Sequence, residues 1–309
     1  MMIKRLAAMF LALCLLICAV PAMAETPDPV DIVPYDEIPA TLDGQHHYLL
    51  LCADKWVGDA NNIGNTDGIV LVTLDTRAHR IMLTSIIRDA LVERPDGVIG
   101  RINYIAHNYS PEDLCMVISR HLGVKIEDYI LFDFSQIANI IDHLGGVEIT
   151  VTNEEASYLK RYAISPTATQ PSMDKAGTYL FNGHAAVIYM RIRKAGGGGD
   201  FMRTQRVRTV LSTLADDCRD ITYEEARALV DSVVVNTTST NMNLDEIFSA
   251  MNHAFGLRDC TIEELRIPVE GAYHPITYAN MAVQEIDWKT CRDAFQDYLQ
   301  SSFLVMDED

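Results

Sequence analysis

The sequence is short of positive charge: 25 lysines and arginines stand against 43 aspartates and glutamates, for a net charge of −18. Nucleic acid, whose phosphates demand a basic face, is thereby excluded as a partner. Paired-cysteine motifs are missing too, since none of the 7 cysteines falls in a C-x-x-C or Cys/His metal spacing. A zinc site has no basis in such a pattern. Cys52, Cys115, Cys218, Cys260 and Cys291 lie beyond the first 24 residues. Their odd number leaves a thiol without an intrachain partner; isolated buried thiols are the simplest reading, and disulfides stay open in an oxidising compartment. No His-Glu-x-x-His or Gly-x-Ser-x-Gly occurs, which removes zinc peptidases and nucleophile-elbow hydrolases. His107, His184 and His274 read as packed or surface histidines. The glycine run Gly196–Gly199 is preceded by Lys194 and followed by Asp200, unlike a phosphate-cradling loop that ends in Gly-Lys-Ser/Thr, so ATP use is unsupported.

Long apolar runs are absent except at the start. Lys4 and Arg5, the apolar stretch Leu6–Val20 and Ala22-Met23-Ala24 form an export signal over 1–24. Its apolar part is shorter than the roughly 20 residues of a membrane-spanning helix, so cleavage after Ala24 is expected over a lasting anchor. Pro27, Pro29, Pro34 and Pro39 among acids mark 25–45 as an extended linker. One elaborated domain is expected over 46–303, with an acidic tail at 304–309.

Within that domain, Tyr48–Ala53, Ile69–Leu74 and Arg80–Ile86 are apolar or β-branched runs that predict three strands of a buried sheet, the last two joined by a tight turn over 75–79. Pro111–Leu122 has helical spacing between a Ser110 cap and a Gly123 stop, and Ser135–Leu144 repeats the plan before Gly145-Gly146. Strands are expected at Tyr129–Phe132, Val147–Val151 and 261–268. Asn182–Arg193 fits a helix or a strand, and helices are expected at Phe201–Asp217, Tyr223–Ser232, Leu244–Phe255 and Asp287–Tyr298. Alternation of this kind predicts an α/β fold in three layers, a central mixed β-sheet flanked by helices on both faces.

Between Ile188 and Arg208 the chain gathers Arg191, Arg193, Lys194, Arg203, Arg206 and Arg208 against a single acid, Asp200. Arg191 and Arg193 share a face of an extended chain, and Arg203 and Arg206 share a face of a helix. Guanidinium forks match phosphate oxygens and stay charged at any relevant pH. The cluster therefore reads either as a solvated helix face paired with nearby carboxylates or as an anion site. Asp54 closes one apolar run and Asp67 opens the next, so the two can meet at neighbouring strand ends. There they read either as turn and capping acids or as the two carboxylates that Mg²⁺ takes beside substrate phosphates. Arg88-Asp89 at the end of a strand is an ordinary charged couple by itself.

In order along the chain stand Leu50-Leu51-Cys52-Ala53-Asp54, Asn65-Thr66-Asp67-Gly68 running to Leu74, Ser85-Ile86-Ile87-Arg88-Asp89 and Arg101-Ile102-Asn103. After them come Asp142 to Ile149, Leu180-Phe181-Asn182-Gly183, Tyr189-Met190-Arg191-Ile192-Arg193 and Gly199 to Arg206. This succession resembles the LytR-CpsA-Psr family of cell-envelope proteins over about residues 46 to 300. The resemblance implies a mixed sheet flanked by helices, with a long apolar pocket for a polyprenyl tail. It implies an exported transferase that moves a glycopolymer phosphate from a polyprenyl (pyro)phosphate carrier to peptidoglycan. The work would be done at the outer leaflet of the membrane or in the wall, with room for pyrophosphatase side activity. Carried over by position, Asp54 and Asp67 would hold Mg²⁺, and Arg88, Arg191, Arg193, Arg203 and Arg206 would clamp the pyrophosphate. Arg101 and Asn103 would join the substrate contacts, and Asp89 and Asp200 would orient arginines or take a proton from the acceptor hydroxyl. Asn65 stands where the family usually has arginine, Cys52-Ala53 where it has Gly-x or Gly-Ser before the first aspartate, and Val207 where it has glutamine. A carrier or regulatory protein that captures polyprenyl phosphate with little turnover is the alternative these departures raise.

Overall fold

In the computed structural model, residues 27, 30–55, 64–160, 173, 175–195, 198–235 and 239–301 are described. The expected export signal at 1–24 and the acidic tail at 304–309 lie outside them. Strands β1 (Gln45–Ala53), β2 (Thr66–Asp75) and β3 (Arg80–Ile86) run antiparallel in succession, as the apolar runs predict. Asp75 closes the turn after β2 by accepting the Ala78 amide at 2.9 Å. A short ribbon follows, β4 (Leu91–Glu93) with β5 (Ile99–Arg101), then α1 (Ile105–Asn108) and α2 (Pro111–Leu122). Helix α2 has the expected ends: the Ser110 hydroxyl accepts the Asp113 amide, Pro111 opens the first turn, and Gly123 leaves in the left-handed region at φ 70°.

Next come β6 (Asp128–Phe132), α3 (Phe134–His143), β7 (Val147–Val151), α4 (Asn153–Leu159) and β8 (Gly177–Phe181). Helix α3 starts at a capping box in which Asp133 and Gln136 satisfy each other's backbone amides, one residue before the start expected from periodicity. The chain continues through α5 (Gly183–Met190), α6 (Gly199–Asp217), α7 (Tyr223–Val235), β9 (Ser239–Thr240), α8 (Leu244–Gly256) and β10 (Thr261–Ile267). A hairpin of β11 (Tyr273–Tyr278) and β12 (Met281–Ile286) precedes α9 (Trp288–Gln300).

The central sheet has the order β10–β3–β2–β1–β6–β9. Its β1/β6 and β3/β10 pairs are parallel and its other pairs antiparallel, so it is mixed. Burial alternates strictly along β1, and the two sets of side chains meet different surroundings. Leu49, Leu51 and Ala53 join a solid core with Leu114 and Val117 of α2 and Phe295 of α9. Leu50 and Cys52 face the other way, toward α3, α5 and α6. Helices therefore cover both faces of the sheet.

Two expectations change. Val147–Val151 is a strand but pairs with β8 outside the central sheet, packing instead against α5 and α6. Part of the expected linker lies on the domain: Val30 packs on the core, the Val33 amide donates to the Arg120 carbonyl at 2.9 Å, Asp31 pairs with Arg292, and Ile38 is buried. The five cysteines of the described residues are all free thiols. No described helix is long and apolar enough to cross a membrane.

Candidate functional site

The ends of β1, β2 and β3 converge with the starts and ends of two helices. A bulge at Cys52/Ala53 ends the β1–β2 ladder, and the Asp54 amide donates to the Asn65 carbonyl at 2.8 Å, setting Asp54 beside the beginning of β2. Asp67 is the second residue of β2. Arg88 follows β3, where the Ile87 amide is tied to the Ile267 carbonyl at 2.9 Å. Arg191 and Arg193 leave the end of α5, and Asp200 and Arg203 occupy the first turns of α6.

These side chains form one network. The Arg88 Nη1 group donates to both oxygens of Asp67, at 2.7 and 2.6 Å, and its Nε donates to Asp200 at 2.9 Å. Arg203 donates to Asp67 at 3.0 Å and to Asp200 at 3.4 Å. Arg193 stands 3.8 Å from Asp67 and 3.5 Å from Asp200. At the rim, Arg191 donates to Asp54 at 2.9 Å and lies over the Phe134 ring at 4.3 Å. Three guanidiniums thus share two carboxylates, an excess of positive charge within an acidic molecule. Arg88 and Arg203 are deep, with side chains 11% and 4% exposed, whereas Arg191 and Arg193 are open at 38% and 47%.

Burial alone would lower the Arg88 pKa, yet hydrogen bonds and charge from Asp67 and Asp200 leave it raised. Arg203 moves the other way: burial lowers it, and attraction to Asp200 and Asp67 only partly offsets that and the repulsion from Arg88. Guanidinium groups stay protonated through such shifts, so the cluster keeps its charge. The neighbouring Cys52 thiol is pushed up, first by burial and then by Asp67. It stays protonated and serves as wall, not as nucleophile.

Beside the network lies a cavity of about 310 Å³ between the second face of the sheet and the helices. Asp67, Arg191 and Arg203 form its polar end, and the rest is apolar: Leu50, Val70, Ile130, Phe132, Phe134, Ile137, Ile141, Val187 and Met190, among others. Helix α6 supplies Arg203, Val207, Val210, Leu211 and Leu214. Those positions recur every three or four residues, one stripe of a helix. That spacing, continued from Arg203, is the sequence signal that would have found this wall.

Two expected substrate contacts lie elsewhere. Arg206 is turned away from the cluster: it is 1% exposed, pairs with Glu155 at 2.6 Å and donates to the carbonyls of Ile192 and Ala195. Residues three apart on a helix diverge by about 60°, enough to send Arg203 to the site and Arg206 behind it. Asn103 is 2% exposed and lies outside the cavity lining, its amide oxygen buried without a hydrogen-bond partner. Arg101 pairs with Asp89, which also lies 3.6 Å from Arg88, so this couple adjoins the network without entering the cavity wall.

The cavity thus has a charged end and an apolar body, side by side. Residues 30–293 match the LytR_cpsA_psr family, and the chain belongs to it. The regulatory protein MsrR of Staphylococcus aureus is 27% identical over 265 residues, which cover 84% of this chain and 76% of that protein. The polyisoprenyl-teichoic acid–peptidoglycan teichoic acid transferase TagV of Bacillus subtilis is 27% identical over 161 residues, 50% of this chain and 39% of that one. A structure of TagT bound to LIIa-WTA superposes with a TM-score of 0.66 at 20% identity, covering 84% of this chain and 91% of that chain. The shared fold is the one described above.

Proposed function

We propose that this chain is an exported phosphotransferase that moves a glycopolymer phosphate from a polyprenyl-pyrophosphate carrier to peptidoglycan, at the outer leaflet of the membrane. One observation carries the reading: the apolar cavity ends on the arginine–aspartate network, so a prenyl tail in the cavity would deliver its pyrophosphate to Arg88, Arg191, Arg193 and Arg203. Each buried methylene contributes about 0.8 kcal/mol, and that remote binding energy holds the reacting phosphorus in place.

In the reaction, the acceptor hydroxyl attacks the glycan-linked phosphorus, the P–O–P bridge breaks, and polyprenyl phosphate leaves. Positioning and charge neutralisation suffice for such a transfer, without a covalent nucleophile. Asp67 and Asp200 hold Arg88 and Arg203 aimed before substrate arrives. Asp200 is engaged by three arginines, whereas Asp89 has Arg101 and a longer contact to Arg88, so the hydroxyl proton is assigned to Asp89. Asp54 and Asp67, at adjoining strand ends, are the type and number of carboxylate that Mg²⁺ commonly takes beside substrate phosphates, and to hold it Asp67 would give up part of its bonding to Arg88 and Arg203, and Asp54 its bond to Arg191. Bound there, it would neutralise further charge on the phosphate oxygens.

The test is incubation of the protein with a pyrophosphate-linked glycolipid, Mg²⁺ and peptidoglycan fragments. Glycopolymer covalently joined to peptidoglycan is expected. Lipid binding without product would favour the carrier reading instead, for which Val207 speaks: it lines the cavity next to Arg203 with an aliphatic chain where the family usually offers a polar glutamine.

A further inference from the structure

We infer that Arg206 and Glu155 form a buried positioning pair that fixes the backbone of residues 191–195 and so aims Arg193 at the ligand. The geometry is specific. Arg206 Nε donates to Glu155 Oε1 at 2.6 Å, Nη1 to the Ile192 carbonyl at 2.7 Å and Nη2 to the Ala195 carbonyl at 2.9 Å. The two carbonyls bracket Arg193 in sequence, and that segment has left α5 and not yet joined α6. The Arg191 and Ile192 amides still bond back to α5, but Arg193 and Lys194 beyond them are exposed, so the carbonyls of the buried Ile192 and Ala195 are where Arg206 can pin the segment, and a buried carbonyl left without a partner is unfavourable.

Glu155 is itself held. Its second oxygen accepts the Thr152 amide at 3.0 Å in the capping box of α4, so one carboxylate closes a helix end and orients the guanidinium. The Tyr189 ring, 5.9 Å from the Arg206 guanidinium carbon, covers it. Three elements meet here: α4 through Glu155, α6 through Arg206, and the connection that carries Arg193. A planar fork can reach a carboxylate and two carbonyls at once, whereas a lysine ammonium at the end of a flexible stem cannot hold all three in place. The ligand Arg193 meets rests on the pyrophosphate reading; the positioning itself does not.

The test uses the full chain carrying Arg206→Lys, with Arg193→Ala and the double variant. Amide hydrogen exchange at residues 192–195 should quicken at least tenfold in Arg206→Lys while exchange in β1 and β2 stays unchanged. Affinity for farnesyl pyrophosphate should fall about tenfold with that for farnesol unchanged, and in the Arg193→Ala background Arg206→Lys should add no further loss. Unaltered exchange at 192–195, equal losses for pyrophosphate and alcohol, or additive losses in the cycle would overturn the proposal. If the wild-type chain binds no farnesyl pyrophosphate, the functional reading falls and the exchange result alone decides the positioning role. Should Arg206→Lys fail to fold, Glu155→Gln, which keeps the shape of the carboxylate, is read by the same measurements.

Discussion

Replacing Asp67 with asparagine should destabilise the empty protein and make it lean on an added anion. In the native network Asp67 accepts from Arg88 through both oxygens and from Arg203 through one, and its side chain is 10% exposed. Asparagine keeps the volume but turns one acceptor into an NH₂ facing N–H donors, and leaves three guanidiniums sharing Asp200, with Asp89 only at 3.6 Å from Arg88. Breaking a buried pair costs about 3–5 kcal/mol; with both partners around a tenth exposed, the low end, roughly 3 kcal/mol, is expected. With an unfolding entropy of about 2.1 cal/mol/K per residue over the domain, that is a fall in melting temperature of roughly 5–6 °C. Inorganic pyrophosphate in excess should restore more stability to the variant than it adds to the wild type, because its charge takes the place of the lost carboxylate; at a hundred times its Kd a ligand adds about 2.7 kcal/mol. Thermal unfolding with and without pyrophosphate, followed by circular dichroism, measures both effects. Equal melting temperatures for the two empty proteins, or a smaller pyrophosphate gain in Asp67→Asn, would refute the account of the network.

Leu211→Asp places a carboxylate in the apolar wall and should weaken prenyl pyrophosphate binding by at least tenfold while inorganic pyrophosphate binds as before; calorimetry with both ligands distinguishes a tail site from a general anion site. Cys52 should resist maleimide at pH 8 in the native state and react on unfolding, since burial raises its thiol; rapid native labelling followed by mass spectrometry would contradict its place in the wall. Burial pushes His47 and His121 each down to about 4, so the folded state binds fewer protons than the unfolded one between that value and the ordinary 6.5. Stability should therefore fall as pH drops from 6.5 towards 4 and be complete above 6.5, with a shallower fall in His47→Gln; urea unfolding at pH 4.5 and 7 checks the sign.

Much of this architecture was readable where local chemistry and tertiary context agree. Helix α2 is bounded by Ser110, Pro111 and Gly123, signals that act within one turn, and its observed ends coincide with those expected. The hairpin of β11 and β12 went unread for a local reason: its turn uses Ala279 and Asn280, both at positive φ (48° and 62°), and alanine there gives no turn signal. Pro275 within β11 further obscures the strand. For Val147–Val151 the alternating pattern fixed the conformation, but alternation says nothing about which partner a strand takes. The charged residues divide in the same way. Asp54, Asp67, Arg88, Arg191, Arg193, Asp200 and Arg203 converge, as the order of motifs implied, whereas Arg206 is claimed by Glu155, an acid 51 residues away whose role no spacing within the motif reveals.

The strict alternation along β1 has an evolutionary corollary. Leu49 and Ala53 are committed to a solid interior where any change in volume is felt, while Leu50 and Cys52 border a hollow that tolerates different shapes. A single strand thus separates heritable variation into two channels. Changes at Leu50 and Cys52 can reshape what the protein accommodates, while Leu49 and Ala53, untouched, keep the scaffold standing.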